Sequence, residues 1–207
     1  MAVRDALLSF HHRTVRLPRA DRVASALARR IGRAQSLLDV GCDDGRVAQA
    51  VARAVGAERV EGVDLAVNPE AVVDVRRYDG IRLPWPDRAF EAVTLSDVLH
   101  HAADPLDLLR EALRVAARVV AVKDHFRFGP VSDKLLLLMD LAGNAKHGIA
   151  VRGTYFTVAA FTDLVAGAGG RIADLEWPLR IHDLPYRLVT PDRLQFAASI
   201  VHAGSEP

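Results

Sequence analysis

Leu37-Leu38-Asp39-Val40-Gly41-Cys42-Asp43-Asp44-Gly45-Arg46-Val47-Ala48 is the stretch that decides the fold. A short apolar run leads into an acidic residue, a tight glycine turn follows, and a helical pattern begins. This order presents backbone N–H groups and the positive end of a helix dipole to a ligand. Val60-Glu61-Gly62-Val63-Asp64 reads as a second strand that also ends in a carboxylate, 19 residues beyond Gly45. A ribose-binding acid stands about 20 residues beyond such a turn.

A dinucleotide loop, Gly-x-Gly-x-x-Gly, would need glycine at 43 and 46, where Asp43 and Arg46 stand, and the Gly-Lys-Ser/Thr of a phosphate loop does not occur. The spacing instead resembles motif I of the class I S-adenosylmethionine-dependent methyltransferases, Asp/Glu-x-Gly-x-Gly-x-Gly. Asp39, Gly41 and Gly45 match it, and Asp43 replaces the middle glycine. Tyr78-Asp79-Gly80-Ile81-Arg82-Leu83-Pro84-Trp85-Pro86-Asp87 resembles the family's Asp-x-x-x-Leu-Pro-Phe-x-Asp segment. Phe90 to His101 is similar to its fourth strand and following turn, and Asp104-Pro105 to Val115 to its next helix. These segments keep the family's order over residues 36–125. The nearest resemblance is to the broad type 11 group, which includes quinone-biosynthesis C-methyltransferases. That group is chemically diverse, so it implies a reaction and not a substrate.

The resemblance implies S-adenosylmethionine as cofactor and assigns it a set of partners. Asp64 would accept both ribose hydroxyl protons on its two carboxylate oxygens. Asp79 would receive the adenine amino group, with Gly80 or Ile81 supplying an N–H. Asp39 would orient the loop or meet the ammonium group. Gly41, Cys42, Asp43 and Gly45 would line the methionine and ribose portions, the glycines because a Cβ would collide there. Leu65, Ser96 and Asp97 border the same cleft. The alternative for Asp64, Asp79 and Asp97 is a cap or turn. An Asp43 carboxylate facing the methionine carboxylate at 4 Å would cost about 4 kcal/mol at an effective dielectric near 20, close to a thousandfold in affinity. Turned to the ammonium or to solvent, it would not.

Bulk properties narrow the class. A chain of 207 residues, half of them apolar, is expected to form one domain with an α/β core. A net charge of +1 argues against a dedicated nucleic-acid binder. Residues 1–35 carry eight arginines against Asp5 and Asp21. Such a basic segment forms either a solvated helix face or a peripheral contact with anionic lipid or an acidic partner. Cys42 is the sole cysteine, and no targeting or membrane-spanning run is evident, which points to a reducing cytoplasm. Oligomeric state is open. The scarcity of lysine beside arginine reads as a GC-rich genome.

Residues 1–35 read as a helical cap broken at Pro18, with Val23, Leu27 and Ile31 in one apolar stripe. The core, 36–125, alternates strand and helix, with strands expected at Ser36–Val40, Val60–Asp64, Val72–Arg76, Ala92–Leu95 and Val119–Lys123. Asp104 caps a helix with Pro105 in its first turn and Leu106, Leu109 and Leu113 facing inward. Residues 126–153 break the pattern and are expected to be an insertion that closes over the site, with Ser132 capping a short helix to Leu141 and Gly143 ending it. Residues 154–207 add a helix capped by Thr157 and strands at Arg171–Trp177 and Gln195–His202. The whole is a doubly wound, mostly parallel seven-stranded sheet, a Rossmann-like methyltransferase fold with an antiparallel C-terminal hairpin. Ligands in such sheets bind beyond the carboxyl ends of the strands, where Asp39, Asp64, Asp79 and Ser96 gather.

On the acceptor side His101, Asp124 and His125 are candidate bases near strand ends. Asn144, Lys146, His147, Arg152 and Tyr155 offer a polar lining, with Asn144, His147 and Tyr155 taken as substrate contacts. Leu135-Leu136-Leu137-Leu138-Met139 is apolar all round, so it is either a core helix or a surface for a lipid-like acceptor. No His-x-x-x-His motif or second cysteine points to a metal, and no Gly-x-Ser-x-Gly points to a serine hydrolase. The expected function is methyl transfer to a small-molecule or lipid-like acceptor. The alternative is a non-catalytic relative acting as a partner subunit, favoured by Asp43.

Overall fold

A computed structural model describes residues 17–144, 153–184 and 186–204. The chain runs through α1 (Leu17–Ile31), β1 (Ser36–Val40), α2 (Arg46–Val55), β2 (Arg59–Asp64), β3 (Asp74–Arg77) and β4 (Phe90–Ser96). A 3-10 turn at Leu99–His101 leads to α3 (Pro105–Val115), β5 (Ala116–His125), α4 (Pro130–Asn144), α5 (Val158–Gly167), β6 (Gly170–Glu176), α6 (Tyr186–Val189) and β7 (Gln195–His202). Seven strands form one sheet in the order β3-β2-β1-β4-β5-β7-β6. Pairing is parallel from β3 to β5, and β7 enters antiparallel between β5 and β6. The expected α/β architecture and its antiparallel C-terminal pair are therefore present. The order reverses between β1 and β4, which opens a crevice at their carboxyl ends.

Period-two alternation explains the two layers. Leu37, Ala92, Val119 and Ala197 point to one face, where Val23, Leu27 and Ile31 of α1 and Val51 and Val55 of α2 bury against them. Their neighbours Leu38, Val93, Val120 and Ala198 point to the other, against Leu109 and Leu113 of α3 and Phe161 and Val165 of α5. The Val23–Leu27–Ile31 stripe is thus a core face, and truncating Leu27 to Ala would cost about 2–5 kcal/mol. The α3 cap is as read: Asp104 Oδ1 accepts from the N–H of Leu106 (2.9 Å) and Asp107 (3.0 Å). Thr157 Oγ1 likewise accepts from Ala160 N–H at 3.1 Å.

Four details differ from the sequence reading. Strand β3 starts two residues later, because the Val72 N–H bonds to the Asp44 carbonyl (2.9 Å) and not to β2. Strand β5 is longer at both ends, since pairing with β4 starts at Phe90↔Ala116 and pairing with β7 continues to His125↔Gln195. Helix α4 begins at Pro130 and passes through Gly143. Ser132 lies inside its first turn, accepting from Phe128 N–H and donating to the Gly129 carbonyl, both at 2.7 Å. In α3, Leu108 is buried and Leu106 only half-buried. Helix α4 is two-sided: Leu136 packs with Tyr155 and Leu194, whereas Val131, Leu138 and Leu141 are exposed.

Candidate active site

The crevice has two walls of different construction. The first is the rim formed by the ends of β1 and β2. Asp64, the last residue of β2, accepts the Asp43 N–H on Oδ2 (2.9 Å) and the Leu65 N–H on Oδ1 (2.7 Å). A carboxylate offers about four lone-pair positions, so each oxygen keeps one for a ligand hydroxyl. The rim fits a ribose in this respect. Asp43 reaches this geometry with φ of 47°, and its carboxylate is held by Asn68 Nδ2 at 2.8 Å, on the loop after β2. Its side chain is therefore committed within the protein.

The glycines answer to the protein itself. A Cβ on Gly41 would lie 2.6 Å from Val98 Cγ2, and one on Gly45 2.5 Å from Val73 Cγ2. Both have φ of 71°. A collision with these protein side chains would exclude a Cβ here whatever the ligand requires. Cys42 turns inward against Gly62, and burial, then the charges of Asp39 and Asp64, push its thiol pKa up. Only its backbone is available to a ligand.

Asp39 is buried, with Thr94 Oγ1 donating to Oδ1 at 2.5 Å. Burial pushes its pKa up to about 7, against the pull of the Thr94 bond and with help from Asp64. Asp79 is at the surface and takes the N–H groups of Ile81 (2.8 Å) and Arg82 (3.0 Å) on one oxygen, which lowers its pKa. That is the turn-forming role weighed against adenine binding, and its other oxygen has no partner within the turn. A Cβ on Gly80 would stand 3.0 Å from Leu65 Cδ2, so the β2 and β3 ends meet here. Leu65 and Ile81 are 57% and 74% exposed, an apolar edge of the kind a flat base covers.

The second wall stands one strand over, at the ends of β4 and β5. Asp97 follows β4 with φ of 59° and caps no helix. It binds Arg19 Nη2 of α1 (2.6 Å) and the ammonium of Lys123 on β5, and its N–H donates to the Lys123 carbonyl at 2.8 Å. Lys123 is fully buried, and burial lowers its pKa against the charge of Asp97. Burial opposes the Asp97 charge too, yet Lys123 and then Arg19 hold its carboxyl well below the usual range. Ser96 borders this group as the last residue of β4.

Behind Asp97 lies a histidine–carboxylate nest. His100, fully buried, places Nδ1 2.6 Å from Asp124 Oδ1 and Nε2 3.4 Å from Asp140 Oδ2 on α4. Burial works against a charged ring, but Asp124, and then Asp140, raise its pKa to about 10. Asp124 is also fully buried and accepts the His125 N–H at 2.7 Å. His125 is 5% exposed, and burial, then Lys123, lower its pKa. Its Nδ1 lies 3.4 Å from Asp97 Oδ1. His101 is half-buried with its ring on that of His100, centroids 3.9 Å apart. Tyr155 donates its hydroxyl to Asp140 and sets its ring 5.5 Å from His100 and 6.5 Å from His125.

So the structure brings together Asp39, Gly41, Cys42, Asp43, Gly45, Asp64, Leu65 and the Asp79-Gly80 turn on one wall, and His101, Asp124, His125 and Tyr155 on the other. The side chain of Asn144 and all of His147 lie outside the described residues. Sequence reasoning missed Arg19, Lys123 and Asp140, and gave His100 no role of its own. Lys123 and Asp140 carried a signal, being single charges that close long apolar runs. Arg19 carried none, because its partner is 78 residues away. The arginines of α1 offered to an anionic surface are paired internally: Arg22 with Asp183, Arg29 and Arg30 with Glu176.

Comparison with known proteins agrees with this fold. A methyltransferase domain family matches residues 10–173. Over 124 residues the chain is 31% identical to 27-O-demethylrifamycin SV methyltransferase of Amycolatopsis mediterranei, covering 54% of this chain and 44% of that protein. The chain thus spans less than half the length of that relative. Among solved structures, the YcgJ protein of Bacillus subtilis is similar at TM-score 0.62 and 16% identity, over 88% of this chain and 99% of its own. An S-adenosylmethionine-dependent methyltransferase from Mesorhizobium loti is similar at TM-score 0.60 and 18% identity, over 86% and 94%. The [4+2]-cyclase SpnF is similar at TM-score 0.60 and 20% identity, over 88% and 81%, so the fold alone does not fix the reaction. With the domain match spanning most of its length and the sheet order in place, the chain belongs to the methyltransferase domain family, within the class I S-adenosylmethionine-dependent methyltransferases.

Proposed function

We propose that the chain transfers a methyl group from S-adenosylmethionine to a small-molecule or lipid-like acceptor held against the ends of β4 and β5. The observation that carries this is the Asp64 carboxylate, anchored by two N–H groups at the sheet's switch point with one lone pair per oxygen left to bind. When bound, the cofactor supplies an electrophilic methyl group and its own leaving group. The protein's share is then alignment. Asp64 holds the ribose hydroxyls, and the Asp79-Gly80-Ile81 turn and Leu65 hold the base. Asp39, with the backbone of Gly41 to Gly45 and Ser96, holds the amino-acid end. His125 and His101 face the acceptor, and Asp124 positions His125 through its N–H. Asn144, His147 and Tyr155 complete the acceptor side.

Two observations support an apolar, small acceptor. Val131, Leu138 and Leu141 leave an exposed apolar face on α4, the helix that carries Asp140 to this wall, and the curated relative is named for 27-O-demethylrifamycin SV. Contact with an anionic membrane surface would fall to Arg4, Arg13, Arg16 and Arg33, since Arg19, Arg22, Arg29 and Arg30 have acidic partners. Among the described residues no helix is long and apolar enough to cross a membrane.

Calorimetry with S-adenosylhomocysteine tests the proposal. Saturable binding that is lost in Asp64→Ala supports it. No binding at millimolar ligand favours the second reading, a non-catalytic partner subunit, which the Asp43 substitution in motif I motivates. A labelled methyl donor presented with a metabolite extract then identifies the acceptor.

A further inference from the structure

The histidine–carboxylate nest holds more polar atoms than its hydrogen bonds use. His100 Nε2 and Asp124 Oδ2 are buried without a hydrogen-bond partner. A buried polar atom left so costs about 1–3 kcal/mol, and His100 Nε2 is the one that calls for a ligand. The distances say which kind. His100 Nε2 stands 3.4 Å from Asp140 Oδ2, well beyond the roughly 2.7–2.9 Å of a charge-assisted hydrogen bond. It is the separation of two ligands on one ion: bonds of about 2.0–2.1 Å in tetrahedral geometry set neighbouring donor atoms about 3.3–3.4 Å apart. His101 belongs to the same group, with one donor atom each of His100, His101 and Asp140 within 4.8 Å of one another.

The surroundings are those of a metal ligand set. Asp124 takes the Nδ1 side of His100 at 2.6 Å, so an ion entering at Nε2 displaces the proton that the raised pKa of the ring places there. Tyr155 donates to Asp140 and orients that carboxylate. Two imidazoles and one carboxylate suit a borderline divalent ion of the zinc and iron class.

We infer that His100, His101 and Asp140 bind a divalent transition-metal ion, with Asp124 and Tyr155 holding the ligands from behind. Three protein ligands leave an open coordination position. An acceptor held at the ends of β4 and β5 and bearing a hydroxyl or carbonyl oxygen would coordinate there. That last step rests on the proposed function; the ion site itself does not. The absence of a His-x-x-x-His motif is no obstacle, because the ligands come from a 3-10 turn and from α4, about 40 residues apart in sequence.

The test uses the full chain, stripped with a chelator and titrated with Zn2+ alone by calorimetry and thermal unfolding. One saturable site and a rise in melting temperature are expected. Asp140→Asn, which keeps the shape of a partly exposed side chain, should weaken zinc binding by more than about tenfold, and Asp124→Asn by about 10–100-fold. His202→Ala, at the far end of β7, should leave the site intact. Replacing zinc by Co2+ should give the intense visible bands of a low-symmetry, four-coordinate ion. No saturable zinc binding by a chain that still binds S-adenosylhomocysteine overturns the inference and leaves the methyltransferase reading standing. Zinc binding undiminished in folded Asp140→Asn overturns it as well, since the ion then sits elsewhere.

Discussion

The two walls of the crevice are built in opposite ways. On the β1–β2 rim, the buried Asp39 aside, carboxylates lie near or at the surface and receive backbone N–H groups from close by: Leu65 to Asp64, Ile81 and Arg82 to Asp79. On the β4–β5 wall the charges are buried or half-buried and paired across long stretches of chain, Arg19 to Asp97 and the fully buried His100 to Asp124. A rim of that kind is shaped by turns and is cheap to rebuild. A buried charge network is satisfied as a whole or is a liability. The difference teaches that, if the proposed function holds, cofactor recognition belongs to local sequence, whereas the chemistry of the acceptor side belongs to the folded core.

Asp64→Ala should separate the walls most sharply. It removes two hydrogen bonds to a charged group, about 1.5–3 kcal/mol each, so S-adenosylhomocysteine affinity should fall by roughly two to four decades. Zinc binding should not change. Calorimetry with each ligand reads both effects, and a matched loss of zinc affinity would mean that the two walls are one coupled unit.

Asp97→Ala attacks the other wall. It strands Lys123, which is fully buried, and removal of one partner of a buried pair costs about 3–5 kcal/mol. Urea unfolding should show that loss. Asp97→Leu combined with Lys123→Met should recover most of it, because an apolar pair of similar volume is tolerated where a lone charge is not. A single variant within about 1 kcal/mol of the wild type would show that the Lys123 ammonium reaches water.

The same contrast explains what could be read from the sequence. The strands, the Asp104 and Thr157 caps and the β2 carboxylate were legible because period-two burial, capping chemistry and turn spacing act over a few residues. His125 was legible as a polar residue closing an apolar strand. The extension of β5 through Asp124 and His125 was not, since it depends on β7, some 70 residues later, lying antiparallel beside it. Nor was the part played by Arg19 and Asp140, which are ordinary helix residues until α1 and α4 bring them to the ends of β4 and β5. Asp79 was legible as part of the rim, but local chemistry alone leaves turn-forming and ligand-binding roles superposed.

A smaller effect should appear at Asp39. Burial raises its pKa to about 7, so the folded state binds this proton more tightly than the unfolded chain does. Stability should therefore fall as pH rises from about 4 to 7 and level off above. At about 1.4 kcal/mol per unit the whole span is at most about 4 kcal/mol, and less as the buried carboxylate relaxes towards water. Asp39→Asn, which can still accept from Thr94, should flatten that slope and stabilise the protein at pH 8. Urea unfolding at pH 5 and pH 8 measures the difference, and identical slopes in the two proteins would place a compensating cation beside Asp39.

Asp43→Gly should do least, and that is its value. The substitution restores the middle glycine of motif I, relieves a positive φ of 47° and releases Asn68 from its 2.8 Å bond. Relief of left-handed backbone is worth up to about 1–2 kcal/mol for an ordinary residue and less for Asp. The lost hydrogen bond costs about 0.5–1.5 kcal/mol, and the added freedom of the unfolded chain about 0.4–1 kcal/mol more. These nearly cancel, so stability should move by no more than about 1 kcal/mol, and S-adenosylhomocysteine affinity by less than about threefold. A gain of a hundredfold would mean that the Asp43 charge opposes the ligand despite its tether. The rim would then be electrostatically tuned and no longer merely shaped by its turns, and the division between the two walls would fail on the cofactor side.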